Sequence, residues 1–598
     1  MDIDLENRAK EVIEELKQLS IEQIDFNEMD PIVKMMLVTL INESQKIQDY
    51  IGNLEQRIVD RFCSDFIPYN KIGAIPAIAI LAPEFKPKKD SDVVSIGSNC
   101  MFSYKSTISK HALNFLPLFR TLAIPHHDLY TLTPSRLQTR ESVIENVSMK
   151  RSDCLWLGIA MKKEVECLRG MSILIMGTRG IAPEHIYCGG DKSELEFATM
   201  AKMESVEMAE PFDAQQSSGQ FFSHIESWKE RLLNMENATL LYITDERVDR
   251  DLFKQKTFPK SFTQELEDNV LNNFDHGTLW LCLEFPKGYI VPNDCRVVIN
   301  ALPVVNVERN NLTLTQASPI AKLQKQDDAF FLCVTETSVN SQQQGFNAMD
   351  QDVIIRDFDA SRYHNGDLYR DVRNLYNRFI DDYYAFIEYN GIKDGEALRR
   401  LRQTINQIGK SVGVNNSKFK FDSGTYVMKN MNGEQNSSTV NVTYLTTQGR
   451  IGNTPQAGEK MENKKNLPAI EQKVDIVVSA MGGCDKASAD ERYELLRYFT
   501  LTNDRLYTKM DVDAFLRKEI IAEFGKEEFK RIFIKLSIEG AAGKTSLNRG
   551  LYIDIEFKDL KNYNKAVDMA LDKQLLRKIN NKSCIAMPIN IRLIDLDV

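Results

Sequence analysis

The sequence predicts an α+β chain of several domains: N-terminal helices, a β-rich middle, a helical hairpin insertion and a small C-terminal α+β domain of ferredoxin-like character. Three observations predict it. Apolar residues recur at helical spacing before residue 70 and again over 366–410. Between 75 and 335, eight short runs rich in Val, Ile and aromatic residues are separated by turn residues. From 471 onward, strand-like and helix-like segments alternate. The boundaries read as 1–70, 71–345, 346–410, 411–470 and 471–598. A chain of 598 residues is too long for one core, and about 100–200 residues per domain gives about three to five domains.

The first helix uses Val12, Ile13, Leu16 and Leu19. Asp30-Pro31 then offers an N-cap followed by a proline at the first helical position. Ile47, Ile51, Leu54, Ile58 and Phe62 follow at spacings of four, three, four and four, a narrow apolar seam on a long helix. Phe66, Pro68 and Pro76 end it. Strands are expected at AIPAIAIL, VVSIGSNCMFSYK, CLWLGIAM, GMSILIMG, TLLYITDE, TLWLCLEF, CRVVINALPVVNV and AFFLCVTET, with a helical or loop segment at 218–236. Leu368, Val372, Leu375, Phe379, Tyr383 and Phe386 mark one helix face. After Asn390-Gly391 a second helix carries Leu398, Leu401, Ile405 and Ile408, so 366–410 reads as an αα-hairpin. Residues 411–470 read as a β-hairpin near 425–446 followed by a linker through GRIGNTPQAGEKMENKKN. The last part reads as strand VDIVVSA, helices 487–497 and 510–524, strands RIFIKLSIE and GLYIDIEF, helix 560–578 and strand CIAMPINIRLI.

Composition narrows the function. The chain is 43% hydrophobic and 27% charged, as globular proteins are. A formal net charge of -10 leaves no basic surplus for phosphate contacts, which argues against nucleic acid as a partner. The ten cysteines form no CxxC pair and read as free thiols in a reducing compartment rather than a disulfide frame or zinc site. The acidic, helical N-terminus lacks a signal-peptide pattern, and no window approaches 18 uncharged apolar residues. A cytoplasmic location is expected.

Catalytic motifs are scarce. GAAGKTS, Gly540 to Ser546, resembles a phosphate-cradling loop. The glycine such a loop needs five places before Gly543 is Ile538, and a strand rather than a helix should follow. It reads as a hairpin loop with a lysine. His126-His127 beside Asp128 lack a third spaced ligand and read as a surface loop. His276 and His364 read as turn residues, and Asp357 with Asp359 as a solvated loop. No GxSxG elbow is present, and no isolated cysteine has a histidine at a telling distance. The expectation is no catalytic residue, no cofactor and no metal.

INALPVVNVERNN, Ile299 to Asn311, raises a different question. It has two apolar strand starts with a proline between them, and nothing in it can attack, protonate or ligate. Proline cannot donate a ladder hydrogen bond, so Pro303 predicts a sheet edge, bulge or turn. The stretch reads as scaffold inside the fold, in preference to a contact with a partner.

Several stretches, taken in order, resemble the TssF family, the baseplate wedge subunit of bacterial type VI secretion systems. They are the Asp30-Pro31 helix start with its long seam and the strand AIPAIAIL, then VVSIGSNCMFSYK. TFPKSF follows, with Phe258, Pro259, Lys260 and Phe262 ahead of GTLWLCLEFP. Next come Asn300, Pro303, Val304, Val305 and Asn306 in the family's Asn-x-x-Pro-Val-Val-Asn spacing, and finally AFFLCVTETSV. The likeness covers roughly residues 30–340. Beyond it the Cys-Thr-Asn-Arg segment found in many proteobacterial members is missing. LTNDRLYTKMDVDAFL and the domain after it are similar to baseplate J-like wedge proteins of contractile phage tails, as a divergent, Bacteroidota-type branch would be.

The resemblance implies a mechanical role. Two copies would clamp one TssG through helices, forming a wedge that TssK and TssE join. Wedges would ring the VgrG hub and meet neighbouring wedges, and the baseplate would dock on the inner membrane complex to start sheath and tube assembly. The seam Ile47, Ile51, Leu54, Ile58 and Phe62 then suits a multi-chain bundle, or equally packing against helix 3–20 within the chain. The segment 447–470 would absorb differences between the two copies. Two alternatives remain: a wedge of a phage tail or other contractile injection system, and a nucleotide-using enzyme built on GAAGKTS.

Overall fold

A computed structural model describes residues 73–86 and, with short gaps, 93–209, 238–358 and 424–596, with scattered positions between 30 and 67 and at 400, 403 and 407. The chain divides into two compact units: Met1–Ile72 with Ala487–Val598, and Gly73–Lys486. The described residues form strands β1 to β29 and helices α1 to α6, numbered along the chain.

The unit Gly73–Lys486 holds a closed barrel in the order β1 (Ile78–Ala82), β17 (Leu302–Val305), β4 (Leu113–Pro117), β3 (Phe102–Tyr104), β25 (Lys460–Asn463) and β26 (Lys473–Met481). Strand alternation fills it. Ala79, Phe102, Phe115, Val304, Met461 and Ile476 come from all six strands and share one buried cluster, so they face the interior. The alternate residues Ile78, Ile80, Leu116 and Val305 join a second cluster outside with Leu174 and Tyr242.

A seven-stranded sheet runs β12 (Ser193–Leu195), β11 (His185–Cys188), β15 (Leu279–Glu284), β9 (Cys154–Met161), β6 (His126–Thr133), β7 (Arg136–Gln138), β8 (Val143–Glu145). A four-stranded sheet runs β13 (Phe197–Thr199), β14 (Ala238–Ile243), β10 (Ser172–Met176), β16 (Arg296–Ile299). Strands β2 (Val94–Ile96) and β5 (Thr121–Ala123) pair alone, and α1 is Asp268–Leu271.

Two further sheets make a sandwich. One runs β18 (Glu308–Leu314), β24 (Val440–Thr447), β20 (Phe330–Val339), β21 (Gln342–Gln344). The other runs β19 (Ile320–Lys322), β23 (Gly424–Lys429), β22 (Val353–Phe358). Leu314, Val334, Val442 and Tyr444 of the first pack with Val353 and Val427 of the second. The strands expected near 425–446 therefore exist, but β23 and β24 belong to facing sheets rather than to one hairpin.

The expected linker at 447–470 is also different. Gly449–Asn453 form a tight 3-10 turn and β25 follows in the barrel. Gly483 N–H donates to Asn453 Oδ1 at 2.7 Å, and Asn453 Nδ2 donates to Gly483 O at 2.8 Å. A Cβ at Gly449, where φ is +53°, would run into Asp485, and one at Gly452 would sit 2.6 Å from Asn306 Oδ1. These glycines serve close backbone approach, although the composition reads as a flexible segment.

In the unit containing Ala487–Val598, α2 (Ala489–Thr502) and α3 (Lys509–Phe524) each start with a capping box, Ser488 with Glu491 and Thr508 with Asp511. The short helix α4 is Lys526–Phe529. Strands β27 (Ile532–Gly540) and β28 (Arg549–Phe557) are antiparallel. Helices α5 (Leu560–Asp568) and α6 (Leu571–Lys582) then carry the chain over to β29 (Ile589–Asp595), parallel to β28. Ile534, Ile553, Ile555 and Leu593 face helix residues Phe515, Ile520, Leu575 and Ile579. The sheet has three strands among the described residues, one short of a ferredoxin-like βαββαβ unit. The strand expected to supply the fourth, VDIVVSA, is β26, paired with β1 in the barrel.

The seam residues Ile47, Ile51 and Leu54, Pro31, helix 3–20, the segment 218–236 and, apart from residues 400, 403 and 407, the hairpin 366–410 lie outside the described residues. Arg400, Gln403 and Gln407 are helical and exposed.

Candidate functional site

The N-terminal helix begins as its sequence requires: Ile32 N–H donates to Asp30 Oδ1 at 2.8 Å, an N-cap bond. The described helical positions between 58 and 67 have two distinct faces. Val59, Cys63 and Ile67 are buried against Leu495, Leu496 and Phe499 of α2, and the Cys63 thiol donates to Arg492 O at 3.4 Å. One position earlier in each turn, Ile58 is 47%, Phe62 46% and Phe66 62% exposed. The Phe62 and Phe66 rings stack with centroids 5.7 Å apart. Ile32, Met36 and Leu40, also four apart, are 63–70% exposed.

The described end of the predicted seam thus points away from the chain's own core, and a row shifted by one residue anchors the helix. Residues four apart share a face, so both rows satisfy the same spacing. Sequence reasoning chose the outer row and missed Val59, Cys63 and Ile67. An exposed row of this kind can bind another apolar face, since fully burying a Leu- or Phe-sized side chain yields about 1.5–3 kcal/mol.

The Asn-Pro stretch lies in the interior. Asn300 is 1% exposed and adopts φ 59°, a left-handed conformation that asparagine tolerates better than most residues. Its side chain acts like a strand backbone: Ile124 N–H donates to Oδ1 at 2.9 Å, and Nδ2 donates to Ile124 O at 3.0 Å. The chain passes here from β16 in one sheet to β17 in the barrel.

Pro303 is not at a sheet edge, since β17 pairs with β1 on one side and β4 on the other. Leu118 N–H donates to Pro303 O at 2.9 Å. The bond that a residue 303 N–H would return to Leu118 O is made instead by Ala209 N–H, at 3.0 Å. A neighbouring amide substitutes for the donor that proline lacks.

Asn306, fully buried, is the most connected side chain of the stretch. Nδ2 donates to Asn114 O at 3.0 Å and to Gln448 Oε1 at 2.9 Å. Oδ1 accepts from Gln448 N–H at 3.1 Å and from the Thr447 hydroxyl at 3.2 Å. Val304 and Val305 are likewise fully buried. Phe258 and Pro259 also serve a core: Phe262 N–H donates to Pro259 O at 3.0 Å. Phe262 then meets Trp156 and Trp280 edge-on, with centroids 5.0 and 5.1 Å apart.

The remaining motifs fall as follows. Gly540 pairs with Arg549 across antiparallel strands, whereas a phosphate loop joins a strand to a helix; residues 541–548 lie outside the described residues. His126, His127 and Asp128 are in strand β6 rather than a loop. Asp357 is in β22, while Asp359, His276 and His364 lie outside the described residues. No group of three His, Cys, Asp or Glu suited to a metal occurs among the described residues. None of the ten cysteines is in a disulfide; seven are buried, and Cys484 and Cys584 are exposed. A cleft of about 110 Å³ is lined by Ser95, Arg120, Leu122, Arg169 and Thr244 among others, smaller than the roughly 300 Å³ at which ligand pockets begin. No described helix is long and apolar enough to cross a membrane.

Fold and site define a strand-rich α+β chain with an exposed apolar helix face. No protein-family model matches the sequence, and comparison with curated proteins gives no match. Among solved structures, the chain is similar to one titled "Structure of the type VI secretion system TssK-TssF-TssG baseplate subcomplex revealed by cryo-electron microscopy". The TM-score is 0.42 at 10% sequence identity, over 95% of this chain and 97% of that one.

Proposed function

We propose that this chain is a structural subunit of a type VI secretion baseplate wedge, assembling with a second copy of itself and TssG. The observation that carries the reading is the exposed row Ile58, Phe62 and Phe66 on a helix whose neighbouring row, one residue on, is anchored on α2. Such a row matches the need of a multi-chain helix bundle. The ordered TssF-like motifs from Asp30 through AFFLCVTETSV support a type VI machine. In this reading TssK and TssE attach to the wedge, and wedges surround the VgrG hub in the cytoplasm, beneath the membrane complex. No catalytic step is assigned to the chain.

Mass determination of the purified chain, alone and after co-expression with its genomic neighbours, tests the proposal. A stable complex of two copies with one smaller partner is expected. A monomer that ignores every neighbour would overturn it.

A further inference from the structure

The unit Gly73–Lys486 interrupts the other unit, whose residues lie on both sides of it in the chain. Its own two ends are tied to each other. Ile75 N–H donates to Cys484 O at 2.8 Å, and Cys484 N–H donates to Ile75 O at 2.9 Å. They form an isolated antiparallel bridge two residues inside each end. Just beyond it, Ile78 pairs with Met481 where β1 meets β26. Asn453 holds the intervening Gly483 through its two reciprocal bonds. Ile75 and Ala77 are buried, so the tie is continuous with the barrel.

The tie bears on the N-terminal helix. Val59, Cys63 and Ile67 pack on Leu495, Leu496 and Phe499. These two groups are about 430 residues apart in the chain, so without the tie their contact closes a loop of that length. With Ile75 held to Cys484, the same contact closes a loop of only about 20 residues. Closure cost grows as three-halves of RT ln n, so the tie favours the docked helix about 100-fold. The described anchor is small, and the entropy of ordering the helix opposes it.

We propose that the barrel-containing unit, by clasping its own ends, makes docking of the N-terminal helix on α2 conditional on its own folding. The outer row Ile58, Phe62 and Phe66 is then held in place only on a chain whose barrel is complete. On the reading of that row as a partner surface, misfolded copies are thereby kept out of assembly. The conditional docking itself does not rest on that reading.

Two native cysteines test it in the full chain. Cys63 reports the docked helix and Cys100 the barrel's buried cluster; they are 1% and 4% exposed. Alkylation at increasing urea, read by peptide mass, is expected to reach Cys63 over the same range as Cys100. Ile75→Cys supplies a disulfide to Cys484, its partner across the bridge, which keeps the ends tied after the barrel opens. At urea concentrations that give equal Cys100 labelling, the oxidised variant is expected to label Cys63 up to about 100-fold more slowly than the reduced one. The first measurement uses unaltered protein, so it decides even if the variant fails to oxidise. Three results overturn the proposal. They are Cys63 labelling well before Cys100, Cys63 still protected once Cys100 of the unaltered chain is fully labelled, and equal Cys63 labelling in the oxidised and reduced variant.

Discussion

Two regions of this protein invert the usual distribution of side chains. On the N-terminal helix, Ile58, Phe62 and Phe66 stand in solvent; in the barrel, the carboxamides of Asn300 and Asn306 are wholly enclosed. Scattered exposed apolar residues are ordinary, whereas buried polar side chains and ordered apolar rows each call for an explanation. The asparagines meet the cost of burial with hydrogen bonds to distant parts of the chain, Asn300 to the Ile124 backbone and Asn306 to Asn114, Thr447 and Gln448. The helix row has no such compensation among the described residues, which is why it is assigned to a partner. The same chain thus uses buried polar groups to fix its own fold and leaves apolar groups exposed on the helix.

The contrast can be broken most directly at Asn306. Asn306→Ala removes bonds to Gln448, Thr447 and Asn114 and should cost about 4 kcal/mol, since each buried group left unpaired costs about 1–3 kcal/mol. Native-state hydrogen exchange of the barrel amides measures it. Asn300→Gly retains the left-handed backbone but loses both Ile124 bonds. A loss of about 2 kcal/mol is expected, read from the same amides.

The helix sharpens the comparison, because neighbouring residues should behave oppositely. Ile67→Ala should destabilise the unit containing Ala487–Val598 by about 2 kcal/mol. Phe66→Ala should change it by less than about 0.5 kcal/mol. Urea denaturation of the two variants, followed at α2, distinguishes them.

Acid offers a smaller test within the barrel-containing unit. Arg247 bonds to the Asp245 side chain, and the amides of Arg247 and Glu196 assist. Against the opposing effect of burial, they lower its pKa from 3.8 to about 2. A group depressed in the folded state stabilises above its unfolded pKa. The contribution, on the order of 2 kcal/mol, is therefore present above about pH 4 and lost as pH falls towards 2. Asp245→Asn should flatten that part of the stability profile.

Local structure was largely legible in the sequence. CLWLGIAM coincides with β9, RIFIKLSIE overlaps β27 over eight residues, GLYIDIEF lies within β28, and Asp30 caps its helix. Partnership was not legible. β26 alternates like any half-buried strand, and nothing local says that it pairs with β1, almost 400 residues earlier in the chain. Pro303 suggested an edge because its missing donor is visible in the sequence, while the Ala209 amide that takes its place is not. The glycines at 449 and 452 looked like a linker because composition cannot distinguish freedom from close packing. The helix row was displaced by one residue because both rows repeat every four.

Recruitment of partner chains by the outer helix row is directly testable. Phe62→Ser with Phe66→Ser, co-expressed with the neighbouring genes, tests it by native mass measurement against unaltered protein. The double variant is expected to keep its fold but lose the complex of two copies with one smaller partner. An intact complex of the same mass would contradict it.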